Sequence, residues 1–287
     1  MPDKVYIRST GIVSPMGAQP DGHRLRAVEP DYARVIDPKL LRRMSRIIRM
    51  GVAAAMDCLQ GAVPGAIVTG TAYGCLEDTT VFLGRMVENK EEMLTPTAFI
   101  QSTHNTVGAQ IALMLQCHAY NNTFVHRGFS FENALLDGML LLSEGSADSV
   151  LVGGIDEITD TSHSILSRFG LYRGLRINGE GAAFFLLDRS PGGVCLEGMA
   201  TVYRPRSADE FIEAFLEQHP GPIDLVMGDK GARGLAPEPY KHLCGDYPTA
   251  SAFGLWLATG KVKAGAGRVL VYNNYLDIHH SIFLVSA

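Results

Sequence analysis

The sequence predicts an α/β fold, because segments typical of strands alternate with segments typical of helices along the whole chain. Apolar runs at 66–69 and 150–155 indicate short buried strands, whereas 76–88 has the spacing of a helix. The strand–helix–strand order occurs in both halves, and each half closes with a strand pair, which suggests an internal duplication with largely parallel pairing. We expect an N-terminal half at 1–190 and a shortened C-terminal half at 191–287.

The remaining elements follow from local signals. A strand at 5–8 runs into a Gly/Pro-rich turn at 11–17, and Asp37 with Pro38 begins a helix that Gly61 ends. A polar loop follows the strand at 150–155. The other predicted strands cover 122–126, 178–188, 194–203, 223–227, 269–273 and 282–285, and the other predicted helices cover 106–115, 131–144, 208–219 and 249–257.

Composition excludes several classes of function. The chain has 287 residues, 46% of them hydrophobic, and a formal net charge of −5, which argues against a nucleic-acid or anionic-membrane surface. Five scattered cysteines favour a reducing compartment, and the histidines (His104, His279 and His280 among them) show no metal-ligand spacing. No apolar run is long enough to span a bilayer and no signal peptide begins the chain, so we expect a cytoplasmic protein without metal or cofactor.

The most informative segment is the turn between the strand at 122–126 and the helix at 131–144. Enzymes use a tight strand-to-helix turn of this kind to aim a Ser or Cys at substrate, because the helix N-terminus supplies free N–H groups and a positive dipole end. The turn reads His126, Arg127, Gly128, Phe129 and Ser130, and it contains no Cys.

Several motifs in a fixed order resemble the β-ketoacyl synthases of the thiolase superfamily. They cover roughly the first two-thirds of the chain, and the last third matches more weakly, mainly through YKHLCGDYPTASAFGLWLA. The resemblance implies a thiolase-like fold with two similar βαβαβ halves in a layered α-β-α-β-α arrangement, compact relative to standard ketosynthases. The earlier motifs are GIVSPMG, LLRRMSRIIRMGVAAAMD, VTG followed by GCLEDT, TPTAFIQSTHNTVGAQIAL, ADSVLVGGID and NGEGAAFFLLD.

The resemblance also implies that the catalytic set is missing. The family's nucleophilic Cys corresponds to Gly128, and its two catalytic His correspond to Asp229 and Asp246, whereas its Lys is retained as Lys241. A ketosynthase needs the thiolate to take the acyl chain and the two His to stabilise the enolate. The glycine- and phenylalanine-containing loop near the C-terminus is replaced by NNYLDIHH (273–280).

This pattern is similar to that of chain-length factors, ketosynthase-like subunits that lack the nucleophile and pair with an active ketosynthase. The resemblance implies a heterodimer that elongates chains on an acyl carrier protein while this subunit shapes the tunnel. The compact chain looks most similar to the subunits of aryl polyene and flexirubin-type pathways. Two alternatives stay open: a divergent β-ketoacyl synthase or acyltransferase that uses Ser130 or Cys117, and a scaffold that docks carrier proteins without affecting chain length.

Cationic side chains offer candidate contacts. His126 and Arg127 could neutralise a carrier-bound group or pair across a dimer interface, or they could be an ordinary capped His and an exposed Arg. A basic stripe on the helix that begins at Asp37 could attract an acidic carrier protein, or it could be a solvated face. The stripe consists of Arg42, Arg46 and Arg49. Lys241 and Asp246 could form an ion pair in the vacated site, with an ordinary surface lysine as the alternative.

Overall fold

The computed structural model describes residues 4–172, 174 and 176–287. Its strands are β1 (Val5–Val13), β2 (Arg24–Leu25), β3 (Ala66–Gly70), β4 (Tyr120–Phe124), β5 (Ser149–Asp156), β6 (Asn178–Gly179), β7 (Gly181–Asp188), β8 (Val194–Tyr203), β9 (Leu225–Gly228), β10 (Pro237–Glu238), β11 (Arg268–Tyr275) and β12 (His279–Ser286). Its α-helices are α1 (Pro38–Leu41), α2 (Arg46–Leu59), α3 (Leu76–Glu88), α4 (Pro96–Gln101), α5 (Thr106–Leu115), α6 (Ser130–Ser143), α7 (Asp160–Arg168), α8 (Ala208–Gln218), α9 (Lys241–Cys244) and α10 (Ala250–Lys263).

Ten strands form one continuous sheet in the order β10-β9-β11-β12-β8-β1-β7-β5-β3-β4. The sheet contains the same five-strand arrangement twice: β1-β7-β5-β3-β4 and β8-β12-β11-β9-β10, each read outward from the middle. The two arrangements join where Val5–Ile7 of β1 pairs with Val194–Leu196 of β8. The division of the chain at residues 190 and 191 remains a prediction, and we propose that it separates these two series.

Strand pairing is mixed, so the expectation of largely parallel pairing is wrong. In each series the strands at the outer end pair in parallel, as β3 does with β4 and β5. The closing strand β7 is antiparallel to both β5 and β1, and β12 is antiparallel to β11 and β8 in the same way. The strand β12 follows β11 directly through the turn at 276–278, whereas β7 follows α7 and the short strand β6, and the sequence periodicity reveals neither pairing.

Three hydrophobic clusters separate five layers. Helices α2 and α5 pack on one face of the first strand series, and α8 packs on the outer face of the second. Between the two series lie α6 and α10, which share a single cluster with strands of both. This layering places the start of α6 in the middle of the molecule. Within the described chain, no helix is both long and apolar enough to cross a bilayer.

Several element boundaries differ from the sequence predictions for local reasons. Strand β1 continues through the predicted turn as far as Val13, because α2 packs so closely on Gly11 that any Cβ there would collide with the backbone of Ala54. The long helix expected after Asp37 is two helices, since Ser45 is extended and begins α2. Helix α4 was not predicted, and α7, expected as loop, begins with a capping box at Thr159.

Candidate functional site: a strand-to-helix elbow without a nucleophile

The elbow connects β4 to α6 through a single 3₁₀ turn, Arg127–Phe129. Arg127 has φ +49°, a left-handed conformation that is strained for a residue with a side chain. The Ser130 hydroxyl closes the turn: it donates to the Arg127 carbonyl at 2.8 Å and accepts from the His126 amide at 2.8 Å. The positive φ of this turn therefore lies at Arg127 and not at Gly128, the residue type that usually supplies it.

Gly128 is buried, and the space beside it is filled. A Cβ at this position would lie 2.7 Å from Cγ of His279 and 2.9 Å from Cδ1 of Tyr275, closer than real Cβ atoms approach. Glycine is thus required here by close contact rather than by backbone conformation. The position where the resemblance places the family's nucleophile has no room for a thiol in this arrangement.

His279 is the side chain that occupies the elbow. Its ring makes edge-on contacts with Phe129 at 4.8 Å and Tyr203 at 5.5 Å between ring centroids. Burial lowers its pKa, as do His126 and Arg127, so the ring is neutral at physiological pH. Its Nδ1 has no hydrogen-bond partner among the described residues.

Lys241 and Asp246 form an ion pair, with Lys241 Nζ 2.7 Å from Asp246 Oδ1. Lys241 also donates to the carbonyl of Asn274, and Arg176 Nε lies 3.3 Å from the other carboxylate oxygen of Asp246. A carboxylate therefore stands where the resemblance places the second catalytic histidine, and two cations neutralise it. An acceptor-only carboxylate held in this way cannot donate a proton to a developing enolate.

Asp229 follows β9 and is exposed. Among the described residues it makes no hydrogen bond or ion pair with Lys241 or Asp246. The structure thus groups Gly128, Lys241 and Asp246 around the elbow and its surroundings, and leaves Asp229 in solvent. Arg176, Tyr275 and His279 were not singled out as site residues, although the replacement of a glycine-rich loop by bulky NNYLDIHH signals that the region is filled.

The proposed basic stripe does not form. Arg42 is exposed and lies outside α2, at the end of α1. Arg46 is only 16% exposed and makes a bidentate contact with the fully buried Glu180, at 2.6 and 2.7 Å. Arg49 packs over the ring of Tyr32 at 5.8 Å. Arg46 and Arg49 stabilise the inside of the protein, so of these three only Arg42 faces solvent.

Ser130 and Cys117, the two candidate substitute nucleophiles, make contacts with backbone carbonyl groups of the fold. The Ser130 hydroxyl is fully buried, and its proton goes to a backbone carbonyl rather than to a base. Cys117 lies in the link between α5 and β4, where its thiol contacts the carbonyl of Pro64 at 3.6 Å. Neither geometry resembles an activated nucleophile, which needs a base within hydrogen-bond reach.

Two buried carboxyl groups lie behind the elbow. Glu132, in the first turn of α6, accepts from Ser281 at 2.7 Å, and burial raises its pKa to about 7. Asp156, at the end of β5, accepts from the amides and hydroxyls around Thr71 and Thr249, and burial raises its pKa to about 6. Both carboxyls join the central helices to neighbouring segments and neither reaches the elbow surface.

An apolar groove of about 720 Å³ runs between α3 and α7. Its inner end is formed by Tyr73, which lies beside Tyr275, whose pKa is raised by burial and by this neighbouring tyrosine. Tyr275 also lies against Gly128, so the side chains of Tyr73 and Tyr275 separate this end of the groove from the elbow. Along α3 the groove is lined by Leu76, Thr80, Leu83, Gly84 and Val87, and along α7 by Ile165 and Leu166.

The sheet edge formed by β4 is surrounded by exposed apolar side chains. We call this region the edge surface and define it by five side chains. They are Leu113, Tyr120, Val125, Leu136 and Leu140, of which Leu113 is 73% exposed. In addition, within the described helices α3, α4 and α7 no side chain is buried, and Val87 and Ile100 are 76% and 62% exposed.

A family model for the N-terminal domain of β-ketoacyl synthases matches residues 18–169, more than half of the chain. The chain belongs to the β-ketoacyl synthase family. The matched segment contains the elbow and most of the groove. A comparison with curated protein sequences finds no significant match.

Solved structures of this family have the same fold. The ishigamide ketosynthase/chain length factor has a TM-score of 0.78 at 16% identity, with 99% of each chain covered. A type II polyketide synthase acyl-carrier protein in complex with its ketosynthase bound to a hexaketide (AntDE:AntF) has a TM-score of 0.82 at 14% identity, with 100% of each chain covered. The ketosynthase ApeO in complex with its chain length factor ApeC, from Xenorhabdus doucetiae, has a TM-score of 0.77 at 14% identity, with 99% and 98% covered. The predicted thiolase-like fold is confirmed.

Proposed function

We propose that this protein is a non-catalytic ketosynthase-like subunit, a chain-length factor, that pairs with an active β-ketoacyl-ACP synthase. The observation that carries the proposal is the elbow, where His279 and Tyr275 occupy the space that a nucleophile at Gly128 would need. Condensation would use the partner's nucleophile, and this subunit would shape the tunnel that holds the growing chain. The pathway would make a polyene, polyketide or fatty-acid-like product, with aryl polyene synthesis as the narrower proposal.

The edge surface supports the pairing. An edge strand presents unpaired N–H and C=O groups, and large apolar patches on a protein surface mark sites where another protein binds. Leu113 and Tyr120 belong to the helix and strand at this edge, so a partner that extends the sheet would cover both. Ketosynthases solved together with chain length factors are among the structures that share this fold.

The groove supports the role in chain length. One end is lined by Tyr73, and the groove follows α3 from Leu76 to Val87, a distance of about 16 Å at 1.5 Å per residue. Its apolar lining suits an acyl chain, which carries no charge to compensate. Side chains of this subunit would then decide how far the chain extends.

The proposal also includes the residues that would contact a carrier protein and the compartment in which this protein would act. Arg42, His126 and Arg127 are exposed, and they are the cations that we propose as contacts for an acidic carrier protein or for the partner. Arg46 and Arg49 are not among these proposed contacts, because their side chains are held by other residues of this protein. All five cysteines are unpaired, which supports the cytoplasm as the proposed compartment.

Two other functions remain as competing proposals. A divergent synthase or acyltransferase would use Ser130 or Cys117, but neither hydroxyl nor thiol contacts a base in the described chain. A scaffold that docks carrier proteins without affecting product length would use the same exposed cations. The groove favours the chain-length factor over the scaffold, because a docking scaffold has no need of an apolar cavity.

The test is co-expression with a candidate ketosynthase, followed by native mass spectrometry and a condensation assay on carrier-bound substrates. We expect a one-to-one complex that elongates chains and still does so after Ser130→Ala and Cys117→Ala. Gly84→Phe should shorten the product, since a side chain at Gly84 meets open space and projects into the groove. Gly260→Phe is the matched control, because Gly260 is also a helical glycine with open space, but far from the groove in sequence.

Each rival predicts a different outcome. Condensation by this chain alone, lost on Ser130→Ala or Cys117→Ala, would replace our proposal with an enzyme. An unchanged product length with Gly84→Phe in an active complex would favour the scaffold.

A further inference from the structure

A second cavity, of about 250 Å³, adjoins the groove at the N-terminal ends of α3 and α7. Thr80, Thr159 and Thr161 line both spaces. We call it the Glu157 cavity after the buried carboxyl group on its wall. Its volume is several times the roughly 30 Å³ that a water molecule occupies in the liquid, so it has room for the end group of a chain.

Glu157 is only 7% exposed and is incompletely paired. Its Oε1 accepts from the amide of Glu77 at 3.1 Å, whereas Oε2 makes no hydrogen bond with any residue that the structure describes. Burial raises the pKa of Glu157 to about 7. Oε2 is therefore free to accept a hydrogen bond from a ligand or water in the cavity.

Two of the three threonine hydroxyls that line the cavity have already donated their protons inside the protein. Thr80 Oγ1 donates its proton to the carbonyl of Leu76 at 2.8 Å, and Thr159 Oγ1 donates to Ser162 at 3.0 Å. Their remaining capacity is therefore to accept a hydrogen bond, and Glu157 Oε2 does the same when the carboxyl is ionised, above its pKa of about 7. An occupant that donates a hydrogen bond satisfies this wall, and a methyl group does not.

The charges around the cavity disfavour an anion. Arg46 is bound to Glu180 and Glu29, and Arg26 lies 2.9 Å from Asp160, so both arginines of the lining are already paired. Glu77 adds negative charge at the rim, whereas the charge of Asp160 is already paired with Arg24 and Arg26. A carboxylate entering here would meet no unpaired cation of the described lining and would be repelled by Glu157.

We propose that the Glu157 cavity binds an uncharged, hydrogen-bond-donating end group, such as a hydroxyl, of the acyl chain that lies in the groove. This inference rests on the proposed function, since it assumes that the groove holds a chain. Glu157 would then determine which chain ends are accepted, while the α3 side chains determine length. The discrimination is strongest against carboxylate ends and moderate against methyl ends.

The experiment measures binding of three probes to the full chain by isothermal titration calorimetry. The probes are methyl dodecanoate, methyl ω-hydroxydodecanoate and monomethyl dodecanedioate, which differ only at the far end. We expect the hydroxyl ester to bind roughly three- to tenfold more tightly than the methyl-ended ester, the ratio that one net hydrogen bond supplies. The carboxylate-ended ester should bind most weakly.

Variants separate this inference from the proposed function. Glu157→Leu should abolish the preference for the hydroxyl ester, and Glu77→Gln, which keeps the amide and removes a rim charge, should retain it. Gly84→Phe should weaken all three probes. If the methyl-ended ester binds and Gly84→Phe blocks it, but the hydroxyl gives no advantage, the inference about Glu157 is wrong and the groove stands. If no probe binds, the groove itself is refuted as a chain site, and both proposals lose their support.

Discussion

Restoring a cysteine at the elbow should not restore a nucleophile. In Gly128→Cys the new Cβ would lie 2.7 and 2.8 Å from Cγ and Cβ of His279 and 2.9 Å from Cδ1 of Tyr275. Overpacking of this kind costs about 1–3 kcal/mol, because neighbouring side chains must leave their preferred rotamers. We expect a loss of stability in this range and a thiol that is shielded from reagents.

The assay combines urea unfolding with mass-spectrometric mapping of alkylation by iodoacetamide. Gly84→Cys is the matched control, since nothing lies within 4 Å of a Cβ at that position. Its thiol should react readily at almost unchanged stability. His279→Gly combined with Gly128→Cys should recover stability and reactivity better than His279→Ala does, because alanine keeps the Cβ that lies 2.8 Å away.

One result would refute the reasoning about occlusion. If Gly128→Cys is as stable as the wild type and its thiol is alkylated or acylated as fast as that of Gly84→Cys, then His279 does not fill the elbow. The proposed lack of catalysis would then depend only on the missing functional groups, and adding them back would suffice.

Three further predictions concern stability and assembly. Arg46→Met should lower the free energy of urea unfolding by about 3–5 kcal/mol, because it leaves the buried Glu180 carboxylate without its cation. As the control, Arg42→Met at an exposed position should change it by under about 0.5 kcal/mol. Equal effects of the two substitutions would contradict the buried pairing. The pKa of Glu132 is raised from 4.5 to about 7 by burial, so the stability that the protonated carboxyl contributes is present below pH 4.5 and is lost as the pH rises through 7. Between those limits the free energy of unfolding of Glu132→Gln should rise by about 3 kcal/mol relative to that of the wild type. Parallel pH profiles of the two proteins would disprove this. Amides of the edge strand β4 should exchange rapidly in the free chain and slowly in the complex with the partner, measured by hydrogen–deuterium exchange, and unchanged exchange would place the partner away from the edge surface.

Much of the fold could be predicted because most elements carry local signals. The span of α3 and the strand 194–203 follow directly from apolar spacing and flanking turn residues. The parts that were missed depend on contacts between distant segments. The antiparallel closing strand β7 and the length of β1 are determined by partners that no local pattern contains.

The candidate site likewise has some features that the sequence predicts and others that depend on contacts between distant segments. The missing cysteine was visible in the sequence, and so was the potential ion pair of Lys241 with Asp246. The role of His279 was not, because it approaches Gly128 from a strand about 150 positions further along the chain. The stripe of arginines failed for a similar reason: the buried partner of Arg46 is Glu180, from the GEGA motif.

The elbow is retained without a nucleophile because the fold itself depends on it. Gly70, at the end of β3, packs so tightly on Ser130 that any Cβ at Gly70 would collide with the Ser130 backbone, which fixes where α6 can begin. The Ser130 hydroxyl then holds the strained backbone of Arg127 between two hydrogen bonds. A turn with this geometry therefore indicates the family, whereas its side chains indicate the activity. In this protein the strain remains as part of the packing of the two central helices, and His279 fills the space beside Gly128, where the resemblance places the family's nucleophile.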